Sequence, residues 1–393
     1  MKIGIVTQYY KSSNYGGLLQ SYALSTFLKK IGNECEQVCF DYYRKTKTNQ
    51  RSLGEVIRER GLIPFGGMVL NRLFFNRLKS AFLHVNHKIS IRQAACKYFR
   101  ESVISHSDKV YDNETIKDCQ NYDVLITGSD QVWLCNVNNF HPGFWLSFAD
   151  DRVKKVSYAA SISMKEIPFE LHDFVKKALS FFCAISVREK SDVKIIKDII
   201  GEEKDVSCVL DPTFLLERNE WENLCEKNPF HGERYIFAYL LGSRKEDRAF
   251  IKNYAKKHGL KVIFIPYIQN VYRPCDDFFG DVQLFDVSPQ LFLSLIHDAT
   301  LVFTDSFHGS VFSNIFHVNY FVFKRDLDAS KLSMNSRLYS LLSMLKMESR
   351  MISNDISLHD LDGIPKINFE VVDAIIDEEK KRSINFLKRA LEN

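Results

Sequence analysis

The sequence predicts an α/β protein in which two Rossmann-like domains face each other across a cleft. Its 393 residues correspond to about two domains of ordinary size. Residues 2–41 contain, in order, a predicted strand, a glycine-bearing turn, a helix and a second strand, which is typical of a parallel sheet. A second alternation of strands and helices begins at residue 235, so the same architecture is predicted twice.

The first domain is predicted over residues 1–225. Its first strand is the apolar run 2–7. In the helix that follows, Leu18, Leu19, Tyr22, Ala23, Phe27 and Leu28 recur at helical spacing before Gly32. Further strands are predicted at 34–41, 122–128, 155–161, 184–189 and 205–211, with helices near 167–181 and 190–200.

A basic segment, about residues 44–118, interrupts this alternation and is predicted to be a helical insert with helices near 68–84 and 88–102. Between Arg44 and Arg100, 13 Lys or Arg residues stand against two acidic residues. Such a field attracts phosphates, acidic glycans or anionic lipid headgroups, although a solvated helical insert has the same composition. Residues 62–83 are apolar and basic, and predict a peripheral membrane helix or one that packs on the first domain.

The second domain is predicted over residues 226–367, and a C-terminal helix over 368–393 is expected to pack back on the first domain. Strands are predicted at 235–242, 261–267, 300–305 and 319–323, with helices at 245–258, 288–299 and 309–316. Ligands of open parallel sheets bind outside the carboxyl ends of the strands. We therefore expect a site in the cleft, on loops 8–17, 127–136, 186–190, 241–244 and 304–310.

Composition excludes several classes of protein. The nine cysteines include no CxxC pair, which predicts free thiols in a reducing cytosol rather than disulfides or a zinc site. The apolar run at the N-terminus is too short for a signal peptide, and no apolar run reaches 18 residues. A cytoplasmic protein without a metal, a cofactor or a nucleic-acid partner is expected, with contact at the inner face of the membrane through residues 62–83 as an alternative.

Two polar motifs follow strands of the first domain. Asn14, Gly16 and Gly17 lie at the first strand-to-helix turn, where glycines let a backbone approach a ligand and helix N–H groups can bind an anion. The same glycines can also be purely structural. Ser129, Asp130 and Gln131 follow the strand that ends near residue 128, where a carboxylate and an amide can hold sugar hydroxyls. Alternatively, Ser129 or Asp130 caps a helix.

Arg188 ends an apolar strand that points toward the predicted cleft. Arginine binds carboxylate and phosphate through two parallel hydrogen bonds. The alternative is a surface ion pair with Glu189 or Asp192.

His308 lies in the segment TDSFHGS (304–310), which joins a predicted strand to a predicted helix. At a helix N-terminus it would stand beside N–H donors suited to an anion and could transfer a proton. The alternative is a histidine with only a structural role.

These motifs together resemble the polysaccharide pyruvyl transferase family, over about residues 3–345 apart from the basic insert. The resemblance implies a two-lobed fold similar to that of the GT-B glycosyltransferases. It also implies phosphoenolpyruvate as co-substrate and a glycan or lipid-linked sugar diol as acceptor, which receives a pyruvate ketal. The matching segments are YGGLLQSYAL (15–24), YDVLITGSDQVW (122–133), KVSYAAS (155–161), AISVREKSD (184–192), VLDPTFLL (209–216) and TLVFTDSFHGSVFSNIF (300–316).

The resemblance also implies roles for individual residues. His308 would be the general acid–base catalyst, and the N–H groups of Gly309 and Ser310 would stabilise the departing phosphate. Family members commonly have Arg where this chain has Ser306, so Arg337, or Lys324 with Arg325, would supply that charge. This departure leaves two alternatives open, a nucleotide-sugar-dependent glycosyltransferase and a non-catalytic glycan-binding relative. The implied donor-binding residues are Arg188, Ser306, Phe307, Gly309, Ser310 and Arg337, and the implied acceptor-binding residues are Asn14, Gly16, Gly17, Ser129, Asp130 and Gln131.

Overall fold

The computed structural model describes residues 1–43, 85–135, 140–268, 273–325, 335–352 and 356–392. Its first sheet has seven strands, all paired in parallel. The strands are β1 (Lys2–Val6), β2 (Glu34–Asp41), β3 (His106–Asp112), β4 (Val124–Thr127), β5 (Lys154–Ser157), β6 (Phe182–Val187) and β7 (Val206–Cys208). Their spatial order is β3-β2-β1-β4-β5-β6-β7.

Helices cover the first sheet. Ile3, Ile5 and Val6 of β1 are completely buried, as expected of a parallel sheet covered on both faces. The helices are α1 (Tyr15–Lys30), α2 (Val85–Tyr98), α3 (His172–Ser180) and α4 (Lys190–Ile200).

The second sheet has six parallel strands. The strands are β8 (Tyr235–Tyr239), β9 (Lys261–Phe264), β10 (Val282–Gln283), β11 (Leu301–Thr304), β12 (Tyr320–Phe323) and β13 (Met351–Ile352). Their spatial order is β10-β9-β8-β11-β12-β13. The remaining helices are α5 (Arg218–Glu222), α6 (Lys245–His258), α7 (Pro289–His297), α8 (Phe307–Ile315), α9 (Ser336–Met344), α10 (Leu358–Asp362) and α11 (Phe369–Glu392). The predicted α/β fold with two Rossmann-like sheets is therefore confirmed.

The basic insert differs from its prediction. Helix α2 confirms the helix expected near 88–102, and a π-helical turn continues it over Phe99–Val103. The insert is not wholly helical, however, because β3 (His106–Asp112) adds an edge strand beside β2. Much of β3 is exposed, so its sequence lacks the apolar pattern of a buried strand. The helix predicted near 68–84 and the membrane segment 62–83 lie outside the described residues.

Contacts from α1 join the two sheets. The Tyr15 ring stacks on Phe292 of α7 at 4.5 Å between centroids. The Tyr15 hydroxyl donates a hydrogen bond of 2.9 Å to the Val287 carbonyl. The beginning of α1, which follows β1, thus packs on the second domain.

The C-terminal helix α11 lies against the first domain. The Ser383 hydroxyl accepts a hydrogen bond of 2.9 Å from the Leu210 N–H. Lys154 of β5 donates to the Leu391 carbonyl at 2.9 Å. Within the described ranges, no helix combines the length and the hydropathy that a membrane span requires.

Candidate active site

His308 lies where the two domains meet. It belongs to the first turn of α8, directly after β11, and only 6% of it is exposed. A Cβ atom on Gly16 would lie 2.0 Å from His308 Nδ1. Gly16 therefore makes room for the imidazole of the opposite domain, whereas the sequence predicted that it brings the backbone close to an acceptor.

Alanine at position 16 is expected to displace the His308 imidazole and to lower turnover by about 10²-fold, because catalytic groups tolerate little misplacement. Gly17→Ala is the matched control: a Cβ there would meet its nearest neighbour, the Gln8 carbonyl oxygen, at an ordinary 3.5 Å. Initial rates and melting temperatures of both variants check this. Equal activity of the two variants would contradict a precise cross-domain fit.

Asp211, which is not among the predicted site residues, is the carboxylate beside His308. Its Oδ2 lies 3.5 Å from His308 Nε2 and 2.9 Å from Arg188 Nη1. Burial by itself would raise the pKa of Asp211, but His308 and Arg188 outweigh it and hold that pKa well below its usual range. Asp211 is therefore an ionised carboxylate that contacts both the His308 imidazole and the Arg188 guanidinium. A carboxylate just after a strand, in VLDPTF (209–214), was the available signal.

Arg188 forms ion pairs inside the protein rather than on its surface. Its side chain is 2% exposed, and it donates hydrogen bonds of 2.9 Å to Glu189 and to Asp211. The Phe307 ring supports the guanidinium at 4.3 Å. The remaining nitrogen of Arg188, Nη2, lies 3.7 Å from Asp130 Oδ1. It has no hydrogen-bond partner among the described residues. One donor of Arg188 thus remains for a ligand.

Arg337 approaches the same carboxylate from α9. Its Nη1 lies 3.8 Å from Asp130 Oδ1, and its Nε has no hydrogen-bond partner within the described ranges. Burial, together with the nearby Arg325 and Arg188, lowers the pKa of Arg337 to about 10. Arg188, Arg325 and Arg337 therefore lie close enough to interact electrostatically, and charge compensation for Ser306 by Arg337 or Arg325 stays a prediction.

Asp192, the second predicted ion-pair partner of Arg188, has another role. Its Oδ2 accepts a hydrogen bond of 2.9 Å from the Ile162 N–H. Burial and the neighbouring Glu189 raise its pKa well above the ordinary value. Through its hydrogen bond to Ile162, Asp192 supports the loop after β5.

Several predicted acceptor-binding groups are used within the protein. The Asn14 side chain caps α1 by accepting a hydrogen bond from the Gly17 N–H at 3.4 Å. The fully buried Ser129 hydroxyl lies 2.9 Å from the Ala159 carbonyl and 3.1 Å from Asp211 Oδ2. Asn14 and Ser129 thus shape the site instead of facing an acceptor.

Asp130 and Gln131 behave differently from these two. Asp130 has a φ of 68°, which is uncommon for a residue other than glycine, and its carboxylate lies between Arg188 and Arg337. The Gln131 carbonyl accepts a hydrogen bond of 2.9 Å from the Gln8 side chain. Of the residues predicted to bind the sugar acceptor, Asp130 is therefore the one that lies beside Arg188 and Arg337.

The predicted phosphate donors at Gly309 and Ser310 are already bonded. Ser306 caps α8, and its hydroxyl accepts a hydrogen bond of 3.3 Å from the Gly309 N–H. The Ser306 carbonyl accepts from the Ser310 N–H at 3.1 Å and also from the Ser310 hydroxyl. These three residues order the helix start. The earlier amides, of Phe307 and His308, have no acceptor within a helix and are the better anion donors.

The arrangement combines cationic donors, an ionised carboxylate and a histidine in a buried place. Such a site can bind an oxyanion and move a proton beside it. In the part of the chain that the structure describes, no group of three or more His, Cys, Asp or Glu side chains is arranged to hold a metal ion.

Comparisons with known proteins agree with this fold. Residues 14–326 match the family model described as polysaccharide pyruvyl transferase. S. aureus MnaA, solved with UDP, is 10% identical, with a TM-score of 0.50 and coverage of 100% of this chain and 97% of its own. A putative UDP-N-acetylglucosamine 2-epimerase from Listeria monocytogenes is 11% identical, with a TM-score of 0.47 and coverage of 96% and 94%. No curated protein matches. At this identity the MnaA structure shows only the fold, the two-lobed GT-B arrangement.

Proposed function

Because this chain belongs to the polysaccharide pyruvyl transferase family, we propose that it transfers pyruvate from phosphoenolpyruvate to a sugar diol. Family membership makes it a transferase that modifies a polysaccharide. The observation that supports the finer proposal is a set of buried side-chain nitrogens, two on arginines and one on a histidine, that lack a hydrogen-bond partner in the described part of the chain. Arg188 Nη2, Arg337 Nε and His308 Nε2 make no hydrogen bond among the described residues. Each unsatisfied donor costs about 1–3 kcal/mol, and a ligand with several negative charges would offset this cost.

Phosphoenolpyruvate matches that set of donors. Its carboxylate and its phosphate both need cations, and Arg188 and Arg337 approach one point, Asp130 Oδ1, at 3.7 and 3.8 Å. The first-turn amides of Phe307 and His308 would add N–H donors for the phosphate. Arg188 is held by Asp211 and Glu189, so its orientation is set before the ligand binds.

The chemistry requires one proton carrier and one hydroxyl-binding group. Protonation of the methylene carbon makes C2 electrophilic, and one sugar hydroxyl then adds to C2. Phosphate leaves as the second hydroxyl attacks C2, and the hydroxyl protons pass to the solvent and the phosphate. His308, oriented by Asp211, would transfer the proton, and Asp130 would accept a hydrogen bond from an acceptor hydroxyl. His308, Arg188 and Arg337 are each only 6% exposed. Such burial would keep water away from the cationic intermediate and so protect it from hydrolysis.

Thermal shift with two ligand classes tests this assignment. Phosphoenolpyruvate at about 100 times its Kd should stabilise the protein by about 2.7 kcal/mol, and UDP-sugars should not. A shift with UDP-sugars alone would replace the proposal with a nucleotide-sugar glycosyltransferase. Glycan binding without any phosphate release would indicate a non-catalytic glycan-binding relative.

Changing Arg188 to Lys is expected to raise the Kd for phosphoenolpyruvate by about tenfold or more, because lysine cannot reproduce the fork held by Glu189 and Asp211. Calorimetric titration with phosphoenolpyruvate measures this Kd. Arg218→Lys is the matched control, since Arg218 is partly exposed and pairs with Glu222 on the same helix. An unchanged Kd for Arg188→Lys would remove this residue from the donor site.

A further inference from the structure

Arg92 is a further buried arginine near the place where the two domains meet, and the proposed reaction does not use it. It lies on α2, and 3% of it is exposed. Its guanidinium stacks 3.7 Å from the centre of the Tyr15 ring, and Nη2 donates to the Ser13 carbonyl at 3.5 Å. Nε and Nη1 have no hydrogen-bond partner among the described residues. Two of its three nitrogens thus make no hydrogen bond of ordinary geometry among the described residues, although the Tyr239 hydroxyl and the Cys96 thiol are close enough to interact with the guanidinium.

Two other arginines of this protein, outside the proposed donor site, leave no buried nitrogen without a hydrogen-bond partner among the described residues. Arg248 is also buried, and its guanidinium donates hydrogen bonds to Asp276 and to the carbonyls of Gly242 and Arg244. Arg100, eight residues after Arg92, donates a hydrogen bond to the Ser12 carbonyl at 2.8 Å. A buried charge without such partners is costly. An anionic ligand would remove the cost at Arg92.

The position of Arg92 connects it to the reaction centre. Tyr15 is adjacent to Gly16, against which the His308 imidazole lies. Arg92 also interacts with Tyr239, the last residue of β8, and β8 is the neighbour of β11, which leads to His308. On the same helix, Lys88 lies over the Phe285 ring of the second domain at 4.2 Å. Helix α2 therefore brings a cation from the insert to the place where both domains meet.

We propose that Arg92 and the Tyr239 hydroxyl form a second oxyanion subsite in the cleft, which binds an anionic group of the acceptor. This inference rests on the proposed function, in which Arg188, Arg337 and His308 take both anionic groups of phosphoenolpyruvate. A further cation then serves the other substrate. The acceptor is accordingly an anionic sugar, and its charge is either the phosphate of an activated precursor or the carboxylate of an acidic sugar.

Calorimetry on the full chain saturated with phosphoenolpyruvate tests the subsite. Inorganic pyrophosphate and glucuronate are the two probes, and they separate the phosphate source from the carboxylate source. We expect one of them to bind with 1:1 stoichiometry. Arg92→Gln should raise the Kd of that probe by about tenfold or more. The same variant should leave the Kd for phosphoenolpyruvate within about twofold of the wild-type value. Arg188→Gln should raise the Kd for phosphoenolpyruvate and leave the Kd of the probe nearly unchanged.

Two further variants make the result decisive. Lys97→Gln removes the same charge from the same helix, but Lys97 is largely exposed, so probe binding should not change. Arg92→Lys keeps the charge and should bind the probe with intermediate affinity, which separates ligand loss from misfolding when melting temperatures are compared. The subsite is overturned if neither probe binds the wild type, or if Arg92→Gln binds as the wild type does. If phosphoenolpyruvate fails to bind while a probe still depends on Arg92, the subsite stands and the donor assignment fails.

Discussion

Changing His308 to Ala is expected to lower kcat/KM by about 10²–10⁴-fold, the usual contribution of a general acid–base group. The imidazole lies at the meeting point of the domains, beside Asp211 at 3.5 Å. Its loss leaves Asp211 still paired with Arg188 at 2.9 Å, so the fold should remain intact. Phosphate release from phosphoenolpyruvate in the presence of a glycan acceptor measures the activity.

His359→Ala is the control for this experiment, because the His359 side chain is 96% exposed. It should have normal activity and a normal melting temperature. A His308→Ala protein that retained near-normal turnover would exclude proton transfer by His308. Loss of folding in this variant would instead mean that the imidazole is a structural contact between the domains.

Changing Asp211 to Asn is expected to destabilise the fold by about 3–5 kcal/mol, the usual cost of breaking a buried ion pair. The carboxylate is 2.9 Å from Arg188 Nη1, and its other oxygen accepts hydrogen bonds from Thr213. Asparagine preserves the shape but leaves Arg188 with only the Glu189 carboxylate in hydrogen-bond contact. Urea unfolding of both proteins measures the difference, and Asp108→Asn on the exposed part of β3 is the control.

The same substitution should change how stability depends on pH. The pKa of Asp211 is lowered in the folded protein, so the folded state binds fewer protons than the unfolded chain. The stability that Asp211 contributes is therefore present above the unfolded pKa of about 3.9 and is lost as the pH falls below it. Asp211→Asn should remove this part of the acid sensitivity. If both proteins lose stability in parallel below pH 4, the Asp211 carboxylate is not the source.

The strands and helices near the site could be predicted because each carries a local pattern. The helix after β1 has apolar residues at helical spacing, and β11 is an apolar run that ends at a polar turn. The sequence also placed Arg188 and His308 at the carboxyl ends of two strands, one in each sheet, that border the predicted cleft. The strands β3, β10 and β13 were missed because they are edge strands: β3 has three exposed residues in its middle, and β10 and β13 are only two residues long. Their pairing depends on a neighbour far away in sequence.

The role of a side chain depended on contacts that no local pattern shows. Ser306 looked like a ligand contact, but its hydroxyl caps α8. Gly16 looked like a ligand-binding glycine, but it contacts His308 across the domain interface. Asp211 became important only because the loops after β6, β7 and β11 meet there. A capping or packing role and a binding role require the same residue types, so the sequence left them open.

By itself, the sequence determined the α/β architecture, the family and the edge of each sheet that bears the polar residues. These follow from periodicity and from short motifs, which act within a few residues of the chain. Only the tertiary structure decided which charges pair, which donors remain without partners and which residues face the cleft. Burial removes water from Arg92, Arg188, Arg337, His308 and Asp211 together. In such surroundings the partner of each charge, rather than its place in the sequence, determines what it can do.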